Sequence, residues 1–223
     1  LKELEHLNNQ VASDIVATNL SEHIHSTKQG TENKETLMQD LESSIQYFAV
    51  KPSAVCRQSV LEGANLSHPE QVDMRMYYSQ LILMAEKKGK TIVLDSEGRQ
   101  TKSAYDELVH NILSQKLSPI FTIQASYRDA LETLHHYHEW AKDYDVNLEF
   151  KLVKGAYVGH DQTNSETASI TCQTFDETHT QYLKLIEASL NLGHRPIIAS
   201  HNDEILDIAE AESLATGNLL GLE

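Results

Sequence analysis

Short β-prone runs alternate with helical patterns along most of this chain, and each run ends on a polar or charged side chain. Gln46-Tyr47-Phe48-Ala49-Val50-Lys51 is stopped by Pro52, and Thr91-Ile92-Val93-Leu94 runs into Asp95. Pro119 to Ile123 leads to Gln124, Phe150 to Val153 leads past Lys151 to Tyr157, and Arg195 to Ser200 leads to His201. From Lys51 to Asp95, Gln124, Lys151 and His201 the steps are 44, 29, 27 and 50 residues, the spacing of successive βα units. In a parallel barrel all strand C-termini share one rim, so residues far apart in sequence converge there. The pattern therefore predicts an α/β fold of the (β/α)8 TIM-barrel type. A doubly wound sheet is disfavoured, because no glycine-rich phosphate turn or Walker-type loop follows a strand. Six strands are counted, with Gly217 to Leu222 holding the last, so the expected barrel lacks strands at both ends.

The helical segments follow from apolar periodicity. Leu4, Leu7, Val11 and Ile15 define an amphipathic helix over 1–20, and a second helix is expected over 35–44, so that 1–45 forms a helical segment ahead of a barrel domain over 46–223. Further helices are expected over 71–88, with Gly89 as cap, and over 102–117, 128–144, 175–192 and 204–212. The polar stretch from Gly159 to Gln173 reads as a long loop.

The run Phe150-Lys151-Leu152-Val153-Lys154-Gly155-Ala156-Tyr157 is the centre of the expected rim. Its apolar residues are strand-prone, its lysines are costly to bury without partners, and Gly155 and Ala156 leave room for a bulky group to approach the backbone. The competing reading is an edge strand whose lysines stand in water.

Composition removes several function classes. With Asp+Glu 33 against Lys+Arg 18 and a net charge of -15, the chain has no basic face for non-specific nucleic-acid binding. Cys56 and Cys172 are too few and too distant for a disulfide framework or a CxxC metal site. No metal site is expected: His135 and His138 share a helical face beside His136, without a third ligand or acidic support nearby. No apolar run approaches the roughly 18 residues of a membrane span. The chain opens on Leu1 without a cleavable signal, as a processed form or an excised piece would.

The strand ends, taken in order, resemble those of the proline dehydrogenase (proline oxidase) family. Phe150 to Tyr157 resembles the family's signature strand. Ala49-Val50-Lys51 resembles its strand ending in an active-site lysine, and Asp95-Ser96-Glu97 its Asp-Ala-Glu. Thr122-Ile123-Gln124-Ala125 is similar to its Gln-Ala strand end, Ala199-Ser200-His201-Asn202 to its Ala-Thr-His-Asn, and Leu219-Leu220-Gly221-Leu222 to its Leu-Leu-Gly-Met. These matches cover about Gln46 to Glu223.

The resemblance implies a distorted (β/α)8 barrel with FAD lying across the strand C-termini. It implies oxidation of L-proline, or of hydroxyproline, by hydride transfer from C5 to flavin N5, giving pyrroline-5-carboxylate, with a membrane quinone as the electron acceptor. By the family match Lys151 lies beside N5, Gln124 hydrogen-bonds the ring system, and Gly155, Ser200, His201 and Asn202 line the rest of FAD. Lys51, Asp95 and Tyr157 fall on the substrate side. The wording of the Lys151 strand and of the Ser200-His201-Asn202 turn is closer to eukaryotic members, which implies a mitochondrial, peripherally inner-membrane-associated protein.

The chain also departs from the family pattern. It ends before the helix whose arginine pair clamps the substrate carboxylate, so poor turnover is expected of the chain as it stands. Phe175 and His179 stand where the family has Lys and Asp, and Ser126 replaces a tyrosine. Two other readings remain: a barrel aldolase with Lys151 or Lys154 as Schiff-base nucleophile, and a non-catalytic flavin-binding barrel.

Overall fold

The computed structural model describes residues 46–63, 65–200, 202–217 and 221–222. The helices expected over 1–20 and 35–44 and the side chain of His201 lie outside the described residues. Among the described residues there are six strands, β1 (Tyr47–Val50), β2 (Thr91–Leu94), β3 (Ile120–Gln124), β4 (Glu149–Val153), β5 (Arg195–Ala199) and β6 (Gly221–Leu222). Seven helices join them: α1 (Gln58–Leu61), α2 (Pro69–Lys87), α3 (Lys102–Ser114), α4 (Ala130–Tyr144), α5 (Val158–Thr163), α6 (Phe175–Asn191) and α7 (Asp203–Thr216). The chain divides between Pro119 and Ile120 into two compact units.

In the first unit β1 and β2 run parallel, with Tyr47 opposite Thr91 and Val50 opposite Leu94. Parallel neighbours need a crossover of a dozen residues or more, which α2 supplies. Its stripe Met74, Tyr77, Tyr78, Leu81, Ile82 and Ala85 is buried at the spacing of one helical face. Pro69 opens the helix with its fixed φ, and the His68 ring nitrogen accepts the Glu70 N–H at 3.2 Å. Gly89, at φ 66°, follows the last turn as the expected cap. The same periodicity buries Ala104, Tyr105, Leu108, Val109, Ile112 and Leu113 of α3.

In the second unit β3, β4, β5 and β6 are parallel neighbours in chain order. Phe121 pairs with Phe150, which in turn pairs with Pro196, and Ile123 pairs with Leu152, which pairs with Ile198; this apolar face meets the helices, as in the 6.4 Å ring contact of Phe121 with Tyr137 of α4. Alternation then puts Thr122, Gln124 and Lys151 together on the opposite face. The edge-strand reading of β4 fails, since β3 and β5 flank it on both sides and Lys151 is only 6% exposed.

One expectation needs correction. Within the supposed loop from Gly159 to Gln173, Val158–Thr163 forms α5. That turn has no apolar stripe, and its one buried residue is Asp161, which accepts the Tyr127 hydroxyl at 2.6 Å. A tertiary hydrogen bond stands in for the hydrophobic face that usually signals a helix. No described helix is long and apolar enough to cross a membrane, and no described group of His, Cys, Asp or Glu forms a metal cluster.

The histidines of α4 serve packing. His136 meets Trp140 edge-on, and His138 Nδ1 lies 2.9 Å from Nε2 of His194, whose Nδ1 faces the Leu148 carbonyl at 3.3 Å. With His194 donating to Leu148, its Nε2 accepts from His138. Burial, reinforced by His138 and opposed by the Leu148 hydrogen bond, lowers the His194 pKa from 6.5 to about 4. The unfolded chain therefore takes up this proton first on acidification, and the stability held by neutral His194 is lost as pH falls from 6.5 toward about 4. Acidification also relieves the self-repulsion of a chain of net charge -15, so the comparison must be with a variant sharing that background. Between pH 7 and pH 5 the Tm of the wild type should fall relative to that of His194→Asn in thermal melts. Parallel Tm profiles would refute this account.

Candidate active site at the strand ends

In the first unit, Asp95 N–H donates to the Val50 carbonyl at 2.9 Å, continuing the β1–β2 ladder, so Lys51 and Asp95 follow directly on adjacent strand ends. The Lys51 carbonyl accepts from the Tyr78 hydroxyl at 2.5 Å and from Ala54 N–H at 3.0 Å, closing the turn Pro52–Ala54 beneath it. Beside them lies Glu97, a buried carboxylate that the sequence reading passed over except as part of a motif. Burial raises its pKa, while the hydrogen bonds from Ser53 and the charge of Lys51 act in the opposite direction and Asp95 adds to the rise.

In the second unit, Gln124 and Ser126 at the end of β3 meet Gly155 at the end of β4. Gly155 has φ 122°, and a Cβ there would stand 2.3 Å from Ser126 Oγ and 3.2 Å from Gln124 Oε1. Both the backbone angle and the close approach demand glycine. Ser126 is fully buried, and its Oγ has no hydrogen-bond partner among the described residues. Lys154 is half-buried with its ammonium 4.1 Å over the ring of Phe175, which is 66% exposed. Burial lowers its pKa and Glu204 opposes this. Tyr157 caps α5. Ser200 Oγ accepts from Asn202 N–H at 3.2 Å, and Asn202 Oδ1 accepts from Ile205 N–H at 3.1 Å as the N-cap of α7. Asn202 thus has a structural duty that its motif did not reveal.

Three buried tyrosines repeat one arrangement. Tyr78 of α2 donates to the Lys51 carbonyl, Tyr105 of α3 to Leu94 at 2.7 Å, and Tyr182 of α6 to Leu152 at 2.7 Å. Each helix returns a hydroxyl to the end of the strand before it or within its own βα unit.

A family model described as proline dehydrogenase matches residues 2–218. The chain belongs to the proline dehydrogenase family. The match begins well ahead of Gln46, where the strand-end motifs start. A search among curated proteins returned no relative. Among solved structures, proline utilization A (PutA) from Bdellovibrio bacteriovorus, inactivated by N-propargylglycine, superposes with a TM-score of 0.78 at 18% identity over 88% of this chain and 24% of its own. PutA from Corynebacterium freiburgense gives 0.78 at 19% identity, covering 88% of this chain and 22% of its own. A variant of Bradyrhizobium japonicum PutA gives 0.73 at 16%, covering 88% and 25%. The chain thus shares the α/β barrel fold of these proline dehydrogenase domains, and spans about a quarter of their length.

The strand-end residues of this chain are of the kinds that could hold a flavin. The family's cofactor has a flat ring edge of hydrogen-bonding groups, a feature matched by the buried polar face of Thr122, Gln124 and Lys151. The absent Cβ at Gly155 lets the end of β4 pack directly against Ser126, whose Oγ has no hydrogen-bond partner among the described residues. Gly155→Ala should therefore lower stability by about 1–3 kcal/mol from backbone strain, with the forced shift of Ser126 added. Chemical denaturation measures it, and a loss under a few tenths of a kcal/mol would contradict this close packing.

Proposed function

We propose that this chain is the catalytic barrel of an FAD-dependent proline dehydrogenase, oxidising L-proline to pyrroline-5-carboxylate and passing the electrons to a membrane quinone. The observation that carries the reading is the buried lysine and glutamine on one face of β3 and β4, ending at a glycine whose missing Cβ lets Ser126 pack against it. A location at the mitochondrial inner membrane belongs to the same proposal.

When bound, FAD supplies the two-electron acceptor for the hydride that leaves C5 of proline, while the nitrogen gives up a proton and the C5–N bond becomes an imine. The chain's own residues orient and polarise. Lys151 offers a fixed positive charge in a water-poor strand end, where it acts more strongly than in solvent. Gln124 presents a two-sided amide to a hydrogen-bonding ring edge, and Gly155, Ser200, His201 and Asn202 are assigned to the remainder of the cofactor. Lys51, Asp95 and Tyr157 are assigned to the substrate: Lys51 complements the carboxylate of proline, and Asp95 its amine. Hydroxyproline shares both groups.

The test is an anaerobic visible spectrum of the full-length protein with FAD, before and after L-proline. The flavin band should appear on binding and bleach with proline, and Lys151→Met should slow the bleaching by roughly 10²–10³-fold. Binding without bleaching would indicate a non-catalytic flavin barrel. No flavin binding, with a borohydride-trapped adduct on Lys151 or Lys154, would replace the proposal with an aldolase.

A further inference from the structure

We infer that Glu97 is a positioning residue that holds the turn after β1, and so fixes where the Lys51 side chain stands beside Asp95. This rests on the substrate role assigned to Lys51 above. Glu97 lies two residues beyond Asp95 and is 7% exposed. Its Oε2 accepts the Ser53 N–H at 2.9 Å and its Oε1 accepts the Ser53 hydroxyl at 2.6 Å, so one residue of the turn occupies both oxygens. Ser53 follows Lys51 by two positions, with Pro52 between them at a nearly fixed φ. The Lys51 carbonyl is held at the same time by Tyr78 and Ala54. The backbone of Lys51-Pro52-Ser53 is therefore tied at both ends, by a helix at one and by the exit of β2 at the other.

A carboxylate meets both donors without any rearrangement. Two donors face it, and only an ionised carboxyl offers two acceptors with no donor of its own. An amide would turn its NH2 toward either the Ser53 N–H, which cannot rotate away, or the hydroxyl, which can. Glu97 also stands within electrostatic reach of both Lys51 and Asp95, which ties the hold on the turn to the charges it presents.

The experiment is competitive trace acetylation of the full chain, read by mass spectrometry as the rate at Lys51 relative to exposed Lys87 and Lys116, in wild type, Glu97→Gln and Ser53→Ala. S53A keeps the charge of Glu97 and breaks one tie, so it separates position from charge. The relative rate at Lys51 should change severalfold in both variants while the reference lysines keep theirs. In FAD-loaded protein both variants should raise the KM for proline by about tenfold with a smaller effect on kcat. A wild-type Lys51 rate in both variants overturns the inference, and so does a change in E97Q alone, which reports lost charge only. Should E97Q not fold, S53A decides by itself. If wild-type protein binds FAD and proline leaves it oxidised, the proposed function falls, while the labelling still decides the role of Glu97.

Discussion

The end of a parallel strand leaves a carbonyl with no ladder partner, and a buried carbonyl without one is costly. This chain answers with tyrosine. Hydroxyls of Tyr78, Tyr105 and Tyr182 close the carbonyls of Lys51, Leu94 and Leu152. Each bond is worth only about 1 kcal/mol net, but each is also a distance constraint between a helix and a strand end. The constrained positions lie at or just before Lys51, Asp95 and the Lys154–Gly155 pair. Further ties reach the exits of all three strands so closed: Glu97 after β2 grips Ser53 after β1, and Asp161 after β4 accepts Tyr127. Side chains at the strand ends take their order from these neighbours.

Much of this was legible in sequence because strand and helix have different periods. Apolar runs ending in Lys51, Asp95, Gln124 and Lys151 gave the strands to within a residue or two, and the stripes of α2 and α3 gave their helices. What stayed hidden depends on pairs distant along the chain. Ser53 and Glu97 are 44 residues apart, and Tyr127 and Asp161 are 34 apart; neither pair has a local signature. α5 escaped for the same reason, since a single buried aspartate anchors it. His138 was read on its own helix face, whereas its partner, His194, comes from 56 residues away.

Charge explains why so few lysines suffice. The chain is strongly acidic, so a general positive field cannot attract an anionic ligand, and attraction must come from lysines placed where solvent screens them least. Lys151 is buried, and Lys51 and Lys154 are half-buried. Two of them have identified charged or aromatic neighbours: Glu97 lies within electrostatic reach of Lys51, and the Phe175 ring and Glu204 lie near Lys154. A desolvated cation with such neighbours keeps its position when a ligand arrives, at the expense of part of its free charge.

The departures from the family pattern become coherent at Gly155. Ser126 Oγ occupies the space that a Cβ on residue 155 would need, so the small side chain at 126 and the absent one at 155 constrain each other. A tyrosine at 126 would have to turn its ring away from this contact, leaving the Gly155 backbone open on the side that the serine now borders. Ser126 therefore narrows the approach to the β4 end while adding a buried hydroxyl with no described partner. A buried hydroxyl in that state is costly unless a further hydrogen-bonding group reaches it.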